Sequence, residues 1–208
     1  MSSLIATDEI FYNKAGLDRS RVETIVDDAM VGSDDGEMFL EYRQSESLTF
    51  DDGKLKNASY DTTQGFGLRA VAGEATGYAH ASDLSEEAMQ RAVGSVRAVA
   101  DGHSGSVAEM PGGTNNSFYV PDNPLTEMVF EAKVKLLQDI DAYARDQDER
   151  VRQVSVNLSG EWQAVQIVRA GGFHAGDIRP LVRLNVSVVL EQDGRMETGG
   201  YGTGGRAS

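Results

Sequence analysis

Two aspartate–glycine pairs decide most about the architecture of this chain. Asp52-Gly53 and Asp193-Gly194 each lie between runs in which apolar and polar residues alternate. Asp-Gly suits the centre of a tight turn where both residues take positive φ, and that turn's twist matches paired antiparallel strands. Ahead of the first pair, Met38, Leu40 and Tyr42 alternate with Phe39, Glu41 and Arg43, and Leu48 and Phe50 continue the run. Lys54 to Tyr60 is the expected return strand. Phe66, Leu68, Ala70 and Ala72 mark a third, and Gly73-Glu74 turns into a fourth from Thr76 to Ala81. In the other half, Val154, Val156 and Leu158 form a strand, Ser159-Gly160 reads as a turn, and Trp162 to Arg169 returns. Leu184, Val186, Val188 and Leu190 then alternate up to the second Asp-Gly pair.

Helical spacing separates these strands. Leu17, Val22, Ile25, Val26 and Met30 predict a helix over 17–31 with Asp18 as its N-cap. Ser85 caps a second helix over 85–100, with Glu86 and Glu87 in the positive first turn and Met89, Ala92, Val93, Val96 and Val99 as its stripe. Asn123-Pro124 opens a third that runs to about Asp146, with Val129, Ala132, Leu136, Ile140, Tyr143 and Ala144 expected inward and Glu131 supporting Lys135. Between the last two, residues 102–122 hold Pro111, Pro121 and several glycines and read as a linker. Strands segregated between flanking helices give an α+β fold with mostly antiparallel sheet. The linker divides residues 1–198 into two sub-parts, 1–101 and 123–198, and 199–208 is a glycine-rich segment. The linker and that segment are expected to be the most mobile parts.

Charge narrows the function classes. Lys and Arg number 19 and Asp and Glu 33, a net charge of −14. Such a surface repels phosphate backbones and anionic lipid, which disfavours nucleic-acid and membrane-surface binding. Residues 150–208 differ from the rest, with 7 basic and 5 acidic side chains. The start, MSSLIATDEI, lacks a basic leader region, so a cytoplasmic location is expected. The absence of cysteine removes thiol nucleophiles and thiolate metal sites.

Spacing alone displays no complete catalytic set. Gly200-x-Gly202-x-x-Gly205 and Gly65-x-Gly67-x-x-Ala70 match a dinucleotide fingerprint by letter, but neither leads from a strand into a helix N-terminus. His80, His103 and His174 are far apart, and no H-x-x-x-H spacing links them. Asp34-Asp35 and Asp51-Asp52 lack the alternation of a calcium loop and read as turn formers.

Two longer segments resemble a known family. Leu48 to Ala81, LTFDDGKLKNASYDTTQGFGLRAVAGEATGYAHA, is similar to the N-terminal domain of TldD/PmbA proteins. Asp177 to Arg206, DIRPLVRLNVSVVLEQDGRMETGGYGTGGR, resembles the TldD branch, where R-P-L-V-R-L precedes a strand and a glycine run ending in Arg. The resemblance implies a zinc metallopeptidase subunit, also described as a modulator of DNA gyrase, that works with a TldE/PmbA-like partner on unstructured peptides. The family's metal motif, H-E-x-x-x-H, does not occur here. The resemblance places it beyond Arg206, in a C-terminal domain, so no metal or catalytic residue is carried onto this chain. The expectation is the N-terminal domain of a two-domain protein, inactive alone, that shapes the cleft and meets the partner. A non-catalytic regulatory or binding module is the alternative. Gly199, Gly200, Gly202, Gly204, Gly205 and Arg206 are the candidate substrate or interdomain contacts. Their low bulk suits either a plain linker or an edge against which an extended peptide pairs.

Overall fold

The computed structural model describes residues 3–100, 102, 105, 115 and 118–206. Most of the expected linker and His103 lie outside the described residues. The chain opens with α1 (Ser3–Asp8), which continues into a π-helical turn over Glu9–Lys14 and buries Ile10 and Phe11. α2 (Arg19–Ala29) follows, and the Asp18 carboxylate accepts from the Arg21 N–H at 3.0 Å, as an N-cap should. Six strands form one antiparallel sheet: β1 (Asp35–Asp51), β2 (Lys54–Ala72), β3 (Ala75–Ala81), β4 (Val151–Arg169), β5 (Phe173–Gln192) and β6 (Arg195–Gly205). Their order is β3-β2-β1-β4-β5-β6, so β3 and β6 are its ends. The helices are α3 (Glu86–Arg97), α4 (Pro124–Glu127) and α5 (Phe130–Gln147).

Contacts divide the chain into two compact units. The first holds 1–43, 63–121 and 163–178, and the second 44–62, 122–162 and 179–208. β1, β2, β4 and β5 thus give one stretch to each. In the first unit, α2 packs against α3, and Val22, Val26, Met38, Leu40, Leu68 and Met89 are fully buried. Arg69 on β2 bonds Glu37 at 2.8 Å and Asp35 at 3.3 Å, and Arg169 on β4 also pairs with Asp35. In the second unit the core is Leu48, Phe50, Leu137, Val154 and Val156, with Leu184, Val186 and Val188 packed against it. These sheet residues all occupy even positions, which is the period-two rule for one covered face.

The structure corrects several sequence expectations. Lys54–Tyr60 and Phe66–Ala72 are one continuous strand, β2, and not two. Ser159-Gly160 does not turn; both lie inside β4. A Cβ on Gly160 would sit 2.4 Å from Leu125 Cδ2, so this glycine makes room for a helix side chain. The long third helix is interrupted, because Met128 and Val129 are extended between α4 and α5. Its buried residues are Lys133, Leu137 and Asp141, whereas Val129, Leu136 and Tyr143 are exposed. Lys133 explains the rotation: its ammonium donates to Leu125 O, a carbonyl left open at the end of α4, at 2.7 Å, and to Glu46 at 2.5 Å. Lys135 pairs with Asp139 and not with Glu131. Of the two readings of the glycine-rich segment, the strand edge fits residues 199–205. Residues 195–205 form β6, since ladder hydrogen bonds need only main chain.

Candidate functional site

The six candidate residues come together at the end of the sheet. Asp193 and Gly194 take φ of 53° and 79°, the conformation Asp-Gly was expected to supply. This two-residue turn sets β6 against β5, with Gln192 opposite Arg195, Val188 opposite Gly199, Asn185 opposite Gly202 and Arg183 opposite Gly204. In such a hairpin the pair flanking the turn exchanges both hydrogen bonds, and bonded and non-bonded pairs alternate from there. Tyr201 and Thr203 therefore bond toward β5. Gly200, Gly202 and Gly204 direct their main-chain N–H and C=O toward the open side of β6.

A side chain at these positions would crowd β5. A Cβ on Gly204 would stand 2.3 Å from Val182 O, and one on Gly200 would stand 3.2 Å from Val186 O. At Gly202 the obstacle is a side chain, Asn185 Oδ1 at 2.8 Å, with Arg183 Nη2 at 3.8 Å. An open groove of about 500 Å³ runs along this stretch, lined by Leu181, Val182, Arg183 and residues 202–206. Gly202, Gly204, Gly205 and Arg206 thus border it, while Gly199 and Gly200 lie farther along β6. Arg183 donates from Nε to Asn185 Oδ1 at 3.2 Å, which ties the guanidinium to its neighbour on the same face of β5. Arg183 and Asn185 were not singled out from sequence. The signal was present, because a two-residue turn at 193 and 194 fixes which β5 residue faces each glycine.

The opposite edge of the second unit's sheet differs. Residues 54–62 of β2 are exposed and carry Lys54, Lys56 and Asp61, charges that discourage pairing with another strand. Residues 199–205 of β6 carry no charged side chain. An edge strand without charge, and with glycine at each position whose main chain faces outward, can pair with an extended peptide through main-chain hydrogen bonds, largely independent of that peptide's sequence.

His80 and His174 lie apart, each with its own neighbours. Among the described residues no group of three or more His, Asp or Glu could hold a metal. His80 lies on β3 beside Tyr78, with ring centroids 5.6 Å apart. His174 begins β5 after the Gly171-Gly172 turn and is buried. Its Nε2 lies 2.9 Å from Glu23 and its Nδ1 3.4 Å from the Tyr12 hydroxyl. Burial and the Arg19 charge hold His174 below its ordinary 6.5 despite Glu23. Burial also raises the Tyr12 hydroxyl above its usual value. Burial would raise Glu23 as well, but hydrogen bonds from Arg19 and His174 outweigh it and lower its pKa. This cluster joins the π-helical turn after α1, α2 and β5. Both dinucleotide-like glycine patterns lie inside strands, with no helix N-terminus to receive a pyrophosphate.

Known proteins supply the context. Residues 36–100 match the model of PmbA/TldA metallopeptidase domain 1, and residues 123–208 match that of the PmbA/TldA metallopeptidase central domain. A metalloprotease TldD homolog from Haemophilus influenzae is 37% identical over 177 residues, which is 83% of this chain and 36% of that protein. One from Buchnera aphidicola is 36% identical over 84% of the chain and again 36% of the relative. The chain therefore spans little more than a third of these relatives. The fold is similar to that of a modulator of DNA gyrase from Bacteroides thetaiotaomicron, with a TM-score of 0.68 at 15% identity over 91% of this chain and 45% of that one. It is also similar to TldE from Thermococcus kodakarensis, with a TM-score of 0.66 at 13% identity over 89% and 43%. With both domain models matched in order and relatives above 30% identity, the chain belongs to the TldD/PmbA metallopeptidase family.

Proposed function

We propose that this chain is the peptide-positioning part of a TldD-like zinc metallopeptidase subunit, and that an unstructured peptide adds to the open side of β6 as a further strand. The observation that carries this reading is the alternation along β6. Gly200, Gly202 and Gly204 present main-chain donors and acceptors at the sheet's end with no side chains of their own, and an open groove borders Gly202 and Gly204. A folded substrate has few free main-chain groups to offer, so the same geometry selects against it. Zinc and the residues that hold it belong to a part of the protein beyond Arg206, as the family resemblance implies, and no step of hydrolysis is assigned to residues of this chain. The partner is a TldE/PmbA-like subunit, as the family resemblance implies, and the setting is cytoplasmic. Among the described residues no helix is long and apolar enough to cross a membrane.

The test uses an unstructured peptide with backbone N-methyl groups. Methylation removes an amide donor and blocks one side of a strand. Binding to the chain is followed by fluorescence anisotropy. Methylating alternate residues in one phase abolishes binding, and methylating in the other phase leaves it intact. Equal tolerance of both phases contradicts strand addition.

A further inference from the structure

The groove beside β6 contains a cation, Arg183, that no carboxylate among the described residues pairs with. Arg69, Arg145, Arg150, Arg152 and Arg169 each hold a carboxylate. Arg183, exposed at the groove, has only the amide oxygen of Asn185 as its polar partner among the described residues. In a chain of net charge −14, acidic side chains are abundant. The groove is nevertheless served by the region that carries 7 basic and 5 acidic residues, 150–208.

The position of that guanidinium is set by the glycines. Arg183 and Gly204 are opposite one another, as are Asn185 and Gly202, so all four project to the same face of the sheet. Arg183 Nη2 lies 3.8 Å from where a Cβ of Gly202 would be. The guanidinium therefore lies over the face of the β5–β6 hairpin, near Gly202. A bulkier residue at 202 would meet both Asn185 and Arg183. On an added strand, the residue opposite Gly202 projects to the same face. Its Cβ stands about 5 Å from that of its cross-strand neighbour. A carboxylate side chain there, reaching back over Gly202, approaches the guanidinium on the same face.

We propose that Arg183 gives the site a preference for peptides with an aspartate or glutamate opposite Gly202. This inference rests on the strand-addition reading and deepens it: the main chain of β6 accepts any extended peptide, and Arg183 ranks them. Arg183 is a specificity residue, and it positions the peptide along β6 by fixing which residue faces Gly202.

The test is a comparison of three otherwise identical short peptides carrying Glu, Gln or Lys at one central position. Each is titrated against the chain and against Arg183→Gln by fluorescence anisotropy at low salt. The glutamate peptide is expected to bind about three- to tenfold more tightly than its glutamine isostere, and the lysine peptide least tightly. The preference vanishes in Arg183→Gln while the glutamine peptide keeps its affinity, and Arg183→Lys retains part of it. Raising the salt compresses the range. Equal binding of the three peptides by the wild-type chain overturns the role of Arg183 and leaves strand addition standing. A glutamate preference that survives Arg183→Gln also overturns it. Failure of every peptide to bind overturns strand addition itself.

Discussion

Replacing Glu46 by alanine should destabilise the second unit far more than the loss of an ordinary surface ion pair. The Lys133 side chain is 7% exposed and its ammonium has two partners, Glu46 Oε2 at 2.5 Å and Leu125 O at 2.7 Å. Glu46→Ala leaves that charge buried with a single carbonyl. Breaking a buried pair from one side costs about 3–5 kcal/mol. Glu46 is 15% exposed, so water can replace part of the carboxylate, and the low end, about 3 kcal/mol, is expected. With a urea slope of about 2 kcal/mol per molar, the midpoint falls by about 1.5 M. Lys133→Met alone leaves the better hydrated partner and costs less. Glu46→Leu combined with Lys133→Met removes both charges and stays within about 1 kcal/mol of the parent or exceeds it. Trp162, the chain's only tryptophan, lies in the second unit and reports its unfolding by fluorescence. An unchanged midpoint in Glu46→Ala, or equal losses in that variant and the double variant, would refute the assignment of a buried charge that depends on its partner.

Three further outcomes follow from the same structure. Gly204→Val places its Cβ 2.3 Å from Val182 O and should detach β6 from β5, exposing amides 201 and 203 to fast hydrogen exchange, whereas Gly199→Ala, with its nearest neighbour at 3.7 Å, should leave them protected. His174 takes up its proton at lower pH in the folded chain than in the unfolded one, so its contribution to stability is complete above 6.5 and declines as pH falls below that value. Glu23 acts in the same direction from 4.5 downward, so His174→Gln should flatten the stability profile between about pH 7 and 5 and leave the acid limb, as urea midpoints across pH will record. The chain incubated with zinc and unstructured peptides should produce no fragments by mass spectrometry; zinc-dependent cleavage that copurifies with it would contradict the placement of the metal site elsewhere.

Local signals in the sequence were read correctly where one short motif sets one conformation. Asp52-Gly53 and Asp193-Gly194 turn, and Asp18, Ser85 and Asn123 cap, each with its own side-chain oxygen. The errors arise where a distant residue decides. Gly160 looks like half of a turn, yet it serves Leu125 from another element. The face of α5 was misjudged because its buried stripe includes Lys133 and Asp141, whose burial depends on Glu46, Leu125 O and Arg145. A hydrophobic period cannot register partners of that kind. The glycine segment stayed open between a linker and a strand edge for a related reason: poverty of side chains suits both, and pairing with β5 requires none. The candidate site was half legible. Its glycines and Arg206 stood out as a run, while Arg183 and Asn185 required the register that the Asp193-Gly194 turn imposes.

The most direct test of the peptide-binding edge is residue-resolved amide hydrogen exchange along β6, with and without an unstructured peptide. In the free chain, amides of Gly199, Tyr201 and Thr203 should exchange slowly and those of Gly200, Gly202 and Gly204 quickly, because only the first set bonds to β5. Saturating peptide should slow the second set and leave residues 54–62 of β2 unchanged. Protection gained on β2, or gained on β6 without the period of two, would contradict strand addition at this edge.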